Sequence, residues 1–541
     1  MKSNFKIIIE SILNKLDYPN INVNVQIPKD IEHGDLTTNI AMVLSKQLKM
    51  NPIDIANKII LHLKKYSEYT NIDIAGPGFI NVKVDTTSLI KLLTKIKKYN
   101  SNYGKNENGN HQKALVEFVS ANPTGPLTVG HGRGAIIGDV VCRIMEWNGF
   151  KVDREYYFNN AGRQMRILGE SLKARYLELC DEKYEFPEDG YQGEYIYTIA
   201  KKFKKDFQKD YINEEDINIF KHYAEKNIFL DIKSTLKKLN IKFDNYFNEY
   251  ELYENKNIDK IINDLKDKGL IYTKDKATWF SGTKVNRPAD RVLIKNTGEP
   301  TYRLPDMAYH RTKFDRKYDL IVDVFGADHI DAFPDIIEAM NQLDYDIKKM
   351  NVLIHQFVTI TKNNKPIKMS TRKANFITLD ELCSEVGTDV VRYFFIMRNM
   401  NTHLNFELEV AKNNSEENPI FYLQYAHARI CTMIKKALNS DYNINNDKNL
   451  QLLNEKEESE LILKMTYFPD MIKNSYNKLD PQIISNYLET LAAKFHKYYA
   501  KYRIINDDKK LTESRLFLID SLRIILDNGL NVLGIKAKEK M

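Results

Sequence analysis

Apolar residues at three- and four-residue steps open the chain. Phe5, Ile8, Ile9, Ile12, Leu13 and Leu16 predict an amphipathic helix. Val23, Val25 and Ile27 alternate as a strand does, and residues 36–65 carry two more helices parted near Asn51-Pro52. Ile72 to Val84 reads strand, Gly76-Pro77-Gly78 turn, strand, and the polar stretch Asn100 to Gln112 reads as a linker. The apolar run Ala114 to Val119 then predicts a buried strand, broken at Ser120-Ala121-Asn122-Pro123-Thr124-Gly125-Pro126. Helical periodicity follows in Ile136, Ile137, Val140, Val141, Ile144, Met145 and Trp147, with Gly149 where a C-cap glycine belongs.

A second strand spans Val152 to Phe158, and residues from 165 to about 285 are mostly helical with dense Lys and Glu. Buried strands return at Val292-Leu293-Ile294, Leu320 to Phe325 and Val352 to His355. Strands alternating with helices predict a parallel, doubly wound sheet, and the long gap between its halves predicts a split Rossmann-like core. From about Leu382 the pattern is helical to the end. The expected fold is multidomain α/β plus all-α. A small α/β domain spans 1–105, the split parallel-sheet core 106–381 with its helical insertions at about 165–285, and a C-terminal helical bundle belongs to 382–541.

The 541 residues suffice for three or four domains at roughly 150 residues each. The net charge of +7 suits a surface that meets a polyanion, although abundant Lys, Asn, Ile and Tyr make the charge a weak argument. The four cysteines form no C-x-x-C, so neither a zinc site nor a disulfide framework is expected. No apolar run reaches membrane-spanning length, and the N-terminus resembles no leader, so a cytosolic protein is expected.

Three features carry candidate chemistry. Glu117 lies inside an apolar strand, where a carboxylate is costly unless a cation meets it. Either a protein Lys or Arg or a cationic substrate satisfies that need. His131, between glycines at a helix start, stands where N–H groups favour an anion, and a structural role is an even alternative. Lys368-Met369-Ser370-Thr371-Arg372-Lys373 is a basic loop after a buried strand, about 240 positions further on. Arg429 and His427, in the helical C-terminal part, suit either RNA or an ordinary wet surface.

The stretch Ala121-Asn122-Pro123-Thr124-Gly125-Pro126-Leu127-Thr128-Val129-Gly130-His131 resembles the nucleotide-binding signature of class I aminoacyl-tRNA synthetases. The longer string Val116 to Asp139 is similar to the arginyl-tRNA synthetases. So are His33-Gly34-Asp35, Ala75 to Asn81, and Gln424-Tyr425-Ala426-His427-Ala428-Arg429. The basic loop resembles the class I Lys-Met-Ser-Lys-Ser signature. Two positions depart: Thr128 replaces the first signature histidine and Thr371 the second lysine, whose charge Arg372 and Lys373 must supply.

The resemblance implies a ligase that forms arginyl-adenylate from ATP and L-arginine, with Mg²⁺, and then charges tRNA(Arg). It implies a monomer that activates arginine only with tRNA bound. The N-terminal domain would touch the tRNA elbow, and the C-terminal domain the acceptor stem and anticodon. His131, Lys368, Thr128, Arg372 and Lys373 would be catalytic. Gly130, Gly134, Asp328, Met369 and Ser370 would join His131 and Lys368 in holding ATP. Glu117, Ser120, Asn122, Tyr302, Asp306 and His329 would hold arginine, and no protein metal site is implied. Tyr302 otherwise reads as a core aromatic and Asp306 as a helix N-cap. Exchanging a charged donor for threonine at position 128 costs roughly 1–2 kcal/mol, about tenfold in rate. A cysteinyl-type enzyme is disfavoured by the missing cysteine-rich site, and a non-catalytic tRNA-binding paralogue by the intact His131, Lys368 and Asp328.

Overall fold

The computed structural model describes residues 1–28, 33–160, 162–363, 365–367 and 377–541. They form two compact units. One combines residues 1–106 with 419–478 and 483–541. It holds an antiparallel sheet with strands in the order Val25–Gln26, Leu36–Thr38, Phe79–Val84, Tyr69–Ala75. The first helix, Lys2–Lys15, buries Phe5, Ile8, Ile9, Ile12 and Leu13. The helix Pro52–Leu63 starts where expected: Asn51 accepts from the Ile53 N–H and Pro52 occupies N1, where no donor is needed. Five long helices make up the C-terminal part, and Lys509–Val532 is buried along most of its length. His427 is buried too, its Nδ1 donating to the Lys538 carbonyl at 2.8 Å. Arg429 packs over the rings of Tyr425 and Tyr499.

The other unit spans 107–418 with 479–482. Its core is a five-stranded parallel sheet: β1 (Lys113–Glu117), β2 (Lys151–Phe158), β3 (Asn245–Asn248), β4 (Leu320–Gly326) and β5 (Met350–His355). The spatial order is β3-β2-β1-β4-β5. It reverses direction between β1 and β4, and ligands bind at such a switch point, outside the carboxyl ends of the strands. The sheet is split as expected, but the intervening stretch is not purely helical. It supplies β3, whose Tyr246 and Phe247 pair with Tyr156 and Tyr157 of β2.

Helix α1 (Val129–Trp147) follows β1 and packs its apolar face under the sheet. It ends in a Schellman motif: Gly149 has φ +84°, its N–H meets the Glu146 carbonyl, and the Phe150 N–H meets that of Met145. Helix α2 (Arg303–Asp315) precedes β4.

Candidate active site

The parallel register lines up three acids that lie far apart in sequence. Glu117 of β1 stands between Asp323 of β4 and Glu155 of β2. All three are buried. Carboxylates in such a row are tolerable only with cations on them, and α2 delivers these from one side. Lys313 donates to Glu117 Oε2 and, at 2.7 Å, to Asp323 Oδ1. Arg316, just past α2, grips Glu155 with both terminal nitrogens. Tyr309 donates to Glu155 at 2.7 Å, and His310 bridges Asp323 and the Asp306 carbonyl. The buried cation of Glu117 is therefore a protein lysine. Burial disfavours charge on Asp323 and Glu155, but these ion pairs outweigh it and lower both carboxyls below their ordinary values.

Further acids face the crevice without such partners. Burial, aided by the charge of Glu117, pushes the Asp306 carboxyl up to about 6. Burial likewise pushes Glu249 up to about 7, with Asp306 adding to the effect, while the Tyr157 hydroxyl donates to it at 3.0 Å. Glu249 precedes a short helix just after β3 and has no motif around it, so the sequence offered no signal for it. Five carboxylates, Glu117, Glu155, Asp323, Asp306 and Glu249, thus share four cationic or protonatable groups, Lys313, Arg316, His310 and His329. That surplus draws a cation.

The turn after β1 is strained where the chain leaves the sheet. Val119 has φ +70° and Ser120 φ +42°, left-handed values that a β-branched residue rarely adopts. The bend ends the strand alternation at Glu117. It turns Ser120 Oγ back to donate to Glu117 Oε1 at 2.7 Å and to accept from the Tyr157 N–H at 3.2 Å. Asn122 donates from its amide to Gln164 at 2.8 Å. Tyr302 is 80% exposed, so it is no core aromatic. Asp306 sits inside the first turns of α2 rather than capping it.

At the N-terminus of α1, Thr128 and His131 form a reciprocal capping box. Thr128 Oγ1 accepts from the His131 N–H, and His131 Nδ1 accepts from the Thr128 N–H at 3.2 Å. An accepting Nδ1 leaves the imidazole proton on Nε2, free for an anion. Burial lowers the His131 pKa, partly offset by the charge of Asp328, which favours this neutral form. Gly130 is exposed, and a Cβ there would meet only the Thr128 hydroxyl, at 3.7 Å. A Cβ on Gly134 would meet His355 Nε2 at 2.7 Å, so that glycine makes room for the β5 histidine. Burial drives His355 down to about 4. Asp328 and His329 follow β4, both more than half exposed and 3.7 Å apart.

The basic loop residues Lys368, Met369, Ser370, Thr371, Arg372 and Lys373 lie outside the described residues. The chain just after it is tied to the α1 turn. Thr378 bridges Thr128, and the Leu379 N–H meets the Leu127 carbonyl at 2.8 Å.

A doubly wound sheet whose switch point carries a glycine-flanked histidine at a helix start and an acidic crevice beside it has the architecture of a class I aminoacyl-tRNA synthetase core. Family comparisons resolve the branch. Residues 92–435 match the model "tRNA synthetases class I (R), catalytic domain", residues 3–84 "Arginyl tRNA synthetase N terminal domain" and residues 423–541 "DALR anticodon binding domain". The arginine–tRNA ligase of Desulfotalea psychrophila is 46% identical over 522 residues, covering 96% of this chain and 94% of that protein. That of Salinibacter ruber is 42% identical, with both chains fully covered. The arginyl-tRNA synthetase structure from Thermus thermophilus has the same fold over the whole of both chains, with a TM-score of 0.80 at 19% identity. The chain belongs to the arginyl-tRNA synthetase family.

Proposed function

We propose that the protein joins L-arginine to tRNA(Arg) at the expense of ATP. The arginine carboxylate attacks the α-phosphorus of ATP, forming arginyl-adenylate and releasing pyrophosphate. A hydroxyl of the terminal tRNA ribose then attacks the activated carbonyl and releases AMP. Asp306 on α2 and Glu249 after β3, carboxyls with no Lys or Arg partner among the described residues, beside Glu117 at the end of β1, carry this reading, because a guanidinium is the cation that paired acids hold best.

In this scheme Asp306 and Glu117 meet the arginine side chain, with Ser120, Asn122, Tyr302 and His329 around it. His131 donates from Nε2 to the phosphate oxygens, where negative charge grows in the transition state. Gly130 and Gly134 shape the turn around ATP, and Asp328 accepts from the ribose hydroxyls. Lys368, with Met369 and Ser370, closes on the triphosphate, and Arg372 and Lys373 supply the charge absent at Thr371. Thr128 acts through His131 by fixing its tautomer. Among the described residues no group of three His, Cys, Asp or Glu side chains is placed to hold a metal. Mg²⁺ would accompany ATP on its phosphates and neutralise part of their charge.

Residues 1–105 meet the tRNA elbow, 106–381 perform the chemistry, and 382–541 contact the acceptor stem and anticodon. The protein acts as a cytoplasmic monomer. Arginine-dependent ATP–pyrophosphate exchange, measured with and without tRNA(Arg), tests the scheme. Exchange that needs tRNA is expected. Tight tRNA binding with no exchange in either condition would instead identify a non-catalytic tRNA-binding paralogue.

A further inference from the structure

Asp335 is completely buried, and three arginines converge on its single carboxylate. Arg287 Nε donates to Oδ1 at 2.9 Å, while Arg291 Nε and Arg303 Nε donate to Oδ2 at 3.1 and 3.2 Å. One negative charge against three positive ones leaves a local surplus of two. The side chains are 24%, 30% and 26% exposed. Each guanidinium uses its inner nitrogen on Asp335, and its terminal nitrogens have no protein partner among the described residues. A clamp needs one arginine on one aspartate. Three forks, held by their stems and left open at their tips, are organised for anions outside the protein.

Their position selects the anion. Arg303 opens α2, and Asp306 follows three residues later on the same side of the helix. Asp335 lies in the first turn of the helix Phe333–Gln342, a few residues after Asp328 and His329. Exposed Tyr302 adjoins Arg303. Arg303 thus ties the cluster to the α2 turn that carries Tyr302 and Asp306, and Asp335 ties it to the segment after β4. We propose that Arg287, Arg291 and Arg303 form a phosphodiester-binding site for the acceptor strand of the RNA, fixing the strand as its terminal ribose enters the crevice. This rests on the proposed function, which requires an RNA end at that place. Because the contacts are to phosphate, they position the strand without reading its sequence.

Two measurements test it. In the wild-type protein, phenylglyoxal modifies guanidinium forks, and mass spectrometry maps the adducts. A minihelix of the tRNA(Arg) acceptor stem should protect all three arginines, whereas ATP with arginine should not. In R291Q and R287Q, the slope of log affinity for tRNA against log salt should fall by about 0.7–0.9 per contact removed. Cognate and non-cognate tRNA should be affected alike. Protection by ATP or pyrophosphate would overturn the proposal in favour of a nucleotide phosphate site. No protection, with lowered melting temperatures and an unchanged salt slope, would leave only a structural clamp. The map also separates the two levels of inference. Protection without arginine-dependent exchange keeps the RNA site and removes the proposed activity; exchange without protection does the reverse.

Discussion

Lys313 reaches Glu117 across 196 positions of sequence and shares its ammonium between that carboxylate and Asp323. Burial alone would strip this lysine of its proton, but the two acids overcome it and hold the pKa above the ordinary value. Replacing Lys313 with methionine leaves two buried carboxylates facing each other. The expected loss is about 3–5 kcal/mol, read from denaturant unfolding. A loss below about 1 kcal/mol would mean that water or Arg316 already serves these acids.

The Glu117 oxygens each have one protein partner, Lys313 and Ser120, and each keeps a lone pair for a ligand. The E117Q variant preserves shape but removes the charge. Its KM for arginine should rise about tenfold or more, the equivalent of one charge-assisted hydrogen bond, with the KM for ATP unchanged. An unchanged arginine KM would confine Glu117 to holding Lys313.

These two predictions mark how far the sequence was legible. The strand, turn and helix from Ala114 to Gly149 could be read because each signal is local: an apolar run, a proline-glycine break, a 3.6-residue period and a left-handed glycine. The anomaly of a buried Glu117 was visible as well. Its partner was not, since Lys313 sits in a helix that reads as an ordinary polar one. Only the strand order puts Asp323 and Glu155 beside Glu117. β3 escaped notice because four residues surrounded by charged helices have too short a pattern to declare a strand. The Asp335 cluster was invisible for the same reason as the acid row: its four members come from three separate stretches, at 287–291, 303 and 335.

Thr128 looked like a lost catalytic histidine, yet it caps α1 and braces His131. T128A should therefore cost about 1 kcal/mol of stability as a lost N-cap. It should also slow exchange, measured with tRNA present, by up to about tenfold, as loss of the Thr128 hydroxyl 3.2 Å from His131 Nδ1 loosens the imidazole that the backbone N–H alone then holds. T128S keeps the hydroxyl and should restore both. Normal exchange in T128A would show that His131 needs no brace.

Asp306 ties arginine binding to pH. Its carboxyl is held at about 6, against an ordinary 3.8, because burial disfavours the charged form. The folded chain therefore takes up a proton that the unfolded chain has released between pH 4 and 6. Stability falls as pH rises through that window, by on the order of 3 kcal/mol, and stays reduced above it. D306N should accordingly be more stable than the wild type at pH 7.5 and equal to it near pH 4. A bound guanidinium favours the charged carboxylate, so arginine binding should expel a proton near pH 6. The arginine KM should then climb about tenfold for each pH unit below that value. Calorimetry of arginine binding to the tRNA complex, in buffers of different ionisation enthalpy, counts the proton directly. Binding at pH 6 with no proton released, and no weakening in acid, would place the guanidinium away from Asp306 and leave Glu249 and Glu117 to hold it.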